Sequence, residues 1–196
     1  MPKRIYVLNG HPAQRSLSHD LAEQYAHAAR DAGHEVKTTH LHDIEFDSDF
    51  GFGGYTQTKA LETPVDQFLE NLAWADHVVI AAPMWWGGLP AKLKGLIDRA
   101  FLPGRTFDTR NKTWAGFPKP MLSGRSARVI ITSDTPGWLM RFCYGNALFR
   151  QIRHQILGFV GIAPARITHF RMASHPDPND VDDWMRRVKA LGQAAV

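Results

Sequence analysis

Residues 78–82, Val78-Val79-Ile80-Ala81-Ala82, form an unbroken apolar run closed by Pro83. A strand with one wet face alternates apolar and polar residues. A continuous run of this length marks a strand covered on both faces, as in a parallel sheet between two helical layers. It is the longest apolar run in the chain and far short of the ~20 residues of a membrane span, so no bilayer crossing is expected.

The flanking sequence repeats the theme. Residues 4–8, Arg-Ile-Tyr-Val-Leu, are stopped by Asn9-Gly10 and read as a first buried strand. From Ser18 the period lengthens: Leu21, Tyr25, Ala28, Ala29 and Ala32 recur at helical spacing, and Gly33 stands where a C-capping glycine belongs. Residues 35–41 make a second strand. Residues 65–75 make a helix with Val65, Phe68, Leu69 and Leu72 on one face. After the 78–82 strand, the Pro83 to Pro90 loop leads into a helix over 91–102, with Leu93, Leu96, Ile97, Ala100 and Phe101 on its buried stripe. A fourth strand is expected at 127–132, a long amphipathic helix from 139 to about 158, and a fifth strand at 166–170. Val181, Trp184, Val188 and Leu191 mark a last helix. Strands alternating with helices predict an α/β domain over residues 1–196, its parallel sheet covered on both faces. Two irregular stretches, 43–63 and 103–125, are long enough to be lids or interface segments.

At 196 residues, 44% hydrophobic and 21% charged, the chain excludes a disordered or fibrous protein. Its single cysteine, Cys143, leaves no internal bridge and is expected to be buried in its helix. The first residues lack the pattern of a secretory signal, so the expected location is cytoplasmic. The net charge of +4 is uneven: residues 1–98 hold 8 basic against 13 acidic residues, and residues 99–196 hold 15 against 6. Nucleic acid, a membrane surface or a phosphorylated small molecule would each account for a basic half. The basic residues from Arg99 onward are scattered rather than gathered in a stripe, which argues against nucleic acid and favours phosphorylated coenzymes.

In an open parallel sheet, ligands bind beyond the carboxyl ends of the strands where strand order reverses. Three loops are therefore informative. Residues 9–18 carry His11, Ser16 and Ser18 at the start of a helix, where free N–H groups and the helix dipole suit a phosphate. The alternative is that Ser16 or Ser18 is only an N-cap and His11 a loop residue. Neither the dinucleotide fingerprint nor the P-loop is present. The second loop pairs Trp85-Trp86 with Gly87-Gly88, able to hold a planar ring and bring backbone N–H groups to its edge, though tryptophan pairs also serve in packing. The third, Thr132-Ser133-Asp134-Thr135-Pro136-Gly137-Trp138, is polar and ends in another tryptophan. A phosphate end and an aromatic end together have the shape of a flavin nucleotide. Of the six tryptophans, Trp85, Trp86 and Trp138 thus fall in ligand loops, Trp74 and Trp184 on packing faces and Trp114 in an expected lid.

With Gly10-His11-Pro12, Ser16-Leu17-Ser18, the long stretch from Ala82-Pro83-Met84-Trp85-Trp86-Gly87-Gly88-Leu89-Pro90 through Asp98-Arg99-Ala100-Phe101, and Asp134-Thr135-Pro136-Gly137-Trp138, the chain resembles the flavodoxin-like NAD(P)H:quinone oxidoreductases. That family includes quinone reductases, drug-activity modulators and potassium-efflux ancillary reductases, and the likeness runs over residues 4–170. It implies a three-layer flavodoxin-like fold with sheet order 2-1-3-4-5, a tightly bound FMN or FAD with FMN favoured, and a ping-pong cycle in which NAD(P)H reduces the flavin and a quinone or similar flat acceptor reoxidises it. By the same resemblance His11, Ser16, Leu17 and Ser18 meet the phosphate and ribityl end. Pro83, Met84, Trp85, Trp86 and Gly87 meet the ring near N5 and O4, and Thr132, Ser133, Asp134, Thr135 and Gly137 its pyrimidine edge. Some animal members place a Tyr and, six residues on, a His beside the flavin. This chain has Trp138 and Tyr144 there, which makes Tyr144 and Trp138 the candidate catalytic side chains, with backbone N–H groups of residues 133–137 as the alternative replacement for the pair and packing at a helix start as the alternative role of Tyr144. The resemblance also implies a homodimer, to which the 43–63 stretch with Phe46, Phe50, Phe52 and Tyr55 contributes. A regulatory subunit of a potassium-efflux system, associated with a membrane transporter, is the alternative function.

Other constellations carry less. His40 and His42 point to one face of the second strand beside Asp43, but no third ligand has metal-site spacing and no metal is expected. Asp182-Asp183 reads as helix N-terminal charge and Arg186-Arg187 as a solvated face.

Overall fold

The computed structural model describes residues 1–196 except 53, 55 and 56. Its strands are β1 (Arg4–Asn9), β2 (Glu35–His40), β3 (His77–Pro83), β4 (Phe107–Lys112), β5 (Pro118–Pro120), β6 (Arg125–Ser133) and β7 (Ile162–Arg171). Five of them form a parallel sheet in the order β2-β1-β3-β6-β7, and β4 and β5 pair as a separate antiparallel ribbon. With the ribbon set aside, this is the expected order 2-1-3-4-5. The helices are α1 (Leu17–Asp31), α2 (Thr63–Trp74), α3 (Ala91–Ala100), α4 (Ala147–Arg150), α5 (Gly158–Val160) and α6 (Pro178–Ala194). Among the described residues no helix is long and apolar enough to cross a membrane.

The apolar run of β3 is buried along its whole length. Because successive strand side chains point to opposite faces, it feeds two cores. Val78, Ile80 and Ala82 join Tyr6, Leu8, Val129 and Ile131 under α2, α3 and α4. Val79 and Ala81 join Ile5, Val7 and Ile130 under α1 and α6. Trp184 of α6 is packing, as expected, stacked on Phe170 with ring centroids 5.2 Å apart.

Four expectations change. The second strand ends at His40, and Leu41–Asp43 is a turn of tight helix. The long helix expected over residues 139–158 is broken: Leu139–Cys143 and Gln151–Leu157 are wound with wide i→i+5 turns, and Gly145 (φ 55°) and Asn146 (φ 52°) stand between α4 and the first of these. Two consecutive left-handed residues cannot continue a right-handed helix, and glycine and asparagine are the types that adopt that conformation readily. Cys143, the last residue of the first of these segments, is exposed rather than buried. Finally, the 103–125 stretch contains the β4–β5 ribbon, with Trp114 fully exposed in its connection.

The 43–63 stretch is anchored to the body. Ile44 is buried, Phe46 packs on the core, and the buried guanidinium of Arg99 donates to Ala60 O (3.0 Å) and Glu62 Oε2 (2.7 Å). Phe50 and Phe52 face a groove described below, and Tyr55 lies outside the described residues.

At the end of the sheet remote from the ligand loops, Asp76 ties β1 to β3. Its carboxylate accepts from Arg4 N (2.9 Å) and Arg4 Nη2 (2.7 Å), and its own N–H donates to Arg4 O (2.8 Å). The Arg4 side-chain and backbone hydrogen bonds hold its carboxyl down at about 2. A depressed carboxylate contributes stability above its unfolded value near 4, and that contribution is lost as pH falls through the folded value. The pair is half exposed, so its worth is about 1 kcal/mol or less. Asp76→Asn therefore lowers urea stability by up to about that amount at pH 7 and flattens the decline between pH 5 and 2. Equal slopes for the two proteins would remove Asp76 from the acid response.

Candidate functional site

Two adjoining clefts open at the carboxyl ends of β1, β3 and β6. The first, of about 190 Å3, is lined by His11, Ser16, Leu17, Ser18, Pro83, Met84, Trp85, Thr132, Ser133, Asp134, Ala173 and Ser174. The second, of about 590 Å3, is lined by Met84, Trp86, Gly87, Ser133, Asp134, Thr135, Met140, Tyr144, Ala147 and Leu148. Met84, Ser133 and Asp134 belong to both, so the two form one groove. The larger volume lies in the roughly 300–1,000 Å3 range of small-molecule sites.

The floor of the first cleft begins where β1 ends. Gly10 N donates to Ala81 O at 2.7 Å, and a Cβ at Gly10 would stand 2.7 Å from Leu93 Cδ2 and 3.2 Å from Ala82 Cβ. Glycine is required by this close approach of the loop to β3 and α3. Asn9 Oδ1 accepts from His11 N at 3.1 Å, and His11 Nδ1 accepts from Ala13 N at 3.0 Å. The ring proton of a neutral His11 is thereby placed on Nε2. Burial lowers the pKa of this imidazole, and its ring meets Trp85 edge-on with centroids 5.4 Å apart.

Ser16 caps α1, its Oγ accepting from His19 N at 3.1 Å. Helix geometry leaves the amides of Leu17 and Ser18 without an intrahelical acceptor. The buried Ser18 Oγ stands 3.4 Å from Thr132 Oγ1. Neither cleft is lined by Lys or Arg among the described residues. What this end offers an anion is a helix N-terminus, hydroxyls and a neutral imidazole.

The opposite end is a tight hairpin. Trp85 N donates to Gly88 O (3.0 Å) and Gly88 N to Trp85 O (2.9 Å), while Met84 N donates to Thr132 O (2.8 Å) and extends the sheet's pairing. Trp86 (φ 51°) and Gly87 (φ 75°) are both left-handed, the pattern of a type I′ turn. That pattern ordinarily selects Asn-Gly, and a bulky residue at its first position is strained by about 1–3 kcal/mol. The Trp86 side chain is fully exposed, so packing does not offset the strain.

The third wall is tied down from behind. The Asp134 carboxylate accepts from Ser174 Oγ (2.6 Å) and Ser174 N (2.7 Å), and Ala173 N donates to Ser133 O (3.2 Å). The Ser174 side-chain and backbone donors lower the pKa of Asp134. Ala173 and Ser174 follow β7 and are not among the residues expected at the site. The signal was available, since their loop also leaves the carboxyl end of a parallel strand.

Of the expected site residues, Trp138 and Gly137 stand apart. They line a separate cleft with Pro136, His169, Arg171 and the start of α6. A Cβ at Gly137 would lie 2.8 Å from Arg171 Nη1, so this glycine makes room for the arginine. Arg187 also faces that cleft, over the Phe170 ring at 5.7 Å, rather than being only solvated. Tyr144, by contrast, lines the second cleft, placed by the break that follows it. His40 and His42 stack on each other (5.4 Å) and His40 on His19 (4.9 Å), but no group of three or more His, Cys, Asp or Glu among the described residues is arranged to hold a metal ion.

A family model described as the flavodoxin-like fold matches residues 3–191. The chain belongs to this family. The flavodoxin-like chain is 30% identical over 148 residues to an FMN-dependent NADH:quinone oxidoreductase of Ruegeria pomeroyi, covering 68% of this chain and 71% of that protein. It is 25% identical over 157 residues to the ribosyldihydronicotinamide dehydrogenase-like protein traD of Penicillium crustosum, covering 69% of this chain but only 58% of the relative. Among solved structures, Smu.1420 from Streptococcus mutans UA159 superposes with a TM-score of 0.80 at 25% identity, covering 97% of this chain and 99% of that one.

The hairpin yields a stability test. Asparagine tolerates the left-handed region that tryptophan resists. Trp86→Asn is expected to leave the ligand-free protein as stable as before or more so, by up to about 1 kcal/mol, in thermal unfolding. A clear loss of stability would show that the indole packs in the native state.

Proposed function

We propose that the protein is an FMN-dependent NAD(P)H:quinone oxidoreductase with a ping-pong cycle. The observation that carries this reading is the single groove joining an anion-suited helix N-terminus to a hairpin of two left-handed residues. The names of the relatives support the choice of FMN and NADH, and the first cleft, at about 190 Å3, suits a compact phosphate end. In this reading His11, Ser16, Leu17 and Ser18 hold the phosphate and ribityl chain. Met84, Trp85, Trp86 and Gly87 hold one edge of the ring, and Thr132, Ser133, Asp134 and Thr135 the other. The chemistry the cofactor supplies when bound is two-electron transfer from a reduced nicotinamide coenzyme to a flat acceptor.

The chain's own part is positioning and exclusion. The amides of Leu17 and Ser18 and the dipole of α1 neutralise phosphate without a cation. The exposed Trp86 offers a flat apolar surface at the mouth of the second cleft, against which nicotinamide and quinone take turns. Tyr144 brings a phenolic donor to that cleft and takes the place of the Tyr-His pair of some animal relatives. Trp138 faces the neighbouring cleft and has no part in this reading.

A second copy of the chain completes the assembly in this reading. Phe50, Phe52, Phe101, Phe107 and Phe159 line one groove of about 1080 Å3, and Phe52 and Phe159 are exposed on it, the apolar kind of surface that marks an interface. Sedimentation should give twice the chain mass, and Phe159→Glu should halve it; a monomeric wild type would refute the dimer.

The purified protein titrated with FMN should quench its fluorescence and turn yellow. NADH should bleach the colour anaerobically, and a quinone should restore it. Ser18→Ala is expected to weaken FMN about tenfold or more while changing riboflavin little, because the lost hydrogen bond is to a charged group. Tyr144→Phe is expected to slow the NADH-driven bleaching in stopped flow. A protein that takes up no flavin would overturn the reading, and an unchanged bleaching rate would remove Tyr144 from it.

A further inference from the structure

The wall between the two clefts and the one behind them contains a hydrogen-bonded pair that cofactor binding alone does not account for. Ser133, at the end of β6, lines both clefts of the groove, and its Oγ lies 2.8 Å from His169 Nε2 on β7. The same oxygen accepts the Thr135 amide at 3.3 Å. The imidazole is fixed by the Phe149 ring, edge-on at 5.2 Å, and lines the neighbouring cleft. The charged groups on that cleft are Arg171 on its own strand and Asp180, Asp183 and Arg187 on α6. On the groove side stand Asp134, each of whose carboxylate oxygens accepts from Ser174, and Tyr144.

A serine hydroxyl has one hydrogen and two lone pairs. If its hydrogen goes to His169, the oxygen meets the groove as an acceptor only. If His169 donates instead, both lone pairs are filled, by imidazole and by the Thr135 amide, and the hydroxyl hydrogen is left to point into the groove. Burial, with the charge of Arg171 behind the ring, holds the imidazolium of His169 below its ordinary range, so the ring carries one proton at neutral pH. The pyrimidine edge of an isoalloxazine is rich in acceptors and gains negative charge on reduction, which a donor satisfies and an acceptor repels.

We propose that His169 is a positioning residue: its Nε2–H, with the Thr135 amide, occupies both lone pairs of Ser133 Oγ and turns the hydroxyl hydrogen into the groove, as a donor that favours the reduced cofactor. This rests on the FMN reading above. The donor need not transfer its proton. It acts by stabilising the charge that the electrons bring.

The test is the midpoint potential of FMN bound to the wild type and to Ser133→Ala, His169→Leu and His169→Gln. Ser133→Ala and His169→Leu should each lose about tenfold in the preference for reduced over oxidised FMN, a fall of about 30 mV for a two-electron couple. His169→Gln, whose amide restores a donor at the position of Nε2, should stay near the wild-type potential. Bound FMN with an unmoved potential in His169→Leu would overturn the proposal. So would a fall in His169→Gln as large as in His169→Leu, which marks a packing effect. Nitrogen-15 spectra of His169 in the wild type, with and without FMN, decide the hydrogen placement without any variant: Nε2–H is expected, and Nδ1–H overturns it. A protein that takes up no FMN would refute the cofactor reading instead, while the tautomer in that same protein still decides the geometry at Ser133.

Discussion

Strand β3 has no face that water can wet, and the rest of the molecule follows from the need to cover both of its sides. Helices must lie above and below it, so its neighbours must be parallel strands reached by crossover helices of one hand. In the order β2-β1-β3-β6-β7 the chain winds outward in opposite directions from β1 and β3. The loops leaving those two strands therefore diverge, and a crevice opens between them. Gly10 sits at its base, where a side chain would collide with Leu93 and Ala82. The buried sheet and the open groove are thus consequences of one constraint.

The sequence made the parts governed by periodicity legible. The strands around 4–8 and 78–82 and the helix beginning near Ser18 are short-range patterns, and they stand where they were expected. Most residues that line the first cleft, Ala173 and Ser174 excepted, were equally readable, because a parallel sheet dictates where its ligand loops lie. The illegible parts share a different cause. Beyond the buried Phe107, β4 is polar and mostly exposed, and β5 begins and ends with proline, so their pairing is decided by each other more than by a buried face. The use of Gly137 depends on Arg171, more than thirty residues away, which no local pattern encodes. The helix break at Gly145 and Asn146 was written in residue types, but the strong apolar periodicity on either side masked it.

The groove also separates the net charge of the chain from its chemistry. Among the described residues the basic excess of the second half does not line either cleft; Arg171 and Arg187 face the adjoining cleft. The phosphate-suited end relies on fixed dipoles and neutral donors, whose strength is less exposed to screening than that of surface charges. In the proposed reading the ring end is shaped by the strained hairpin at Trp86 and Gly87. Orientation, more than charge, is what this scaffold supplies.

The break at Gly145 and Asn146 separates two parts of the groove that answer to different demands. The anion end is locked to the first turn of α1 and to the close packing of Gly10, where a change of even one residue would shift every contact in register. At the break, helical register is already lost, so a residue gained or lost there moves Tyr144 along the wall without rotating α4 on the sheet. In the proposed reading the fold therefore places its tolerance for insertion and deletion beside the acceptor and withholds it from the cofactor, an arrangement by which descendants of one scaffold could diverge in what they reduce while keeping what they reduce it with.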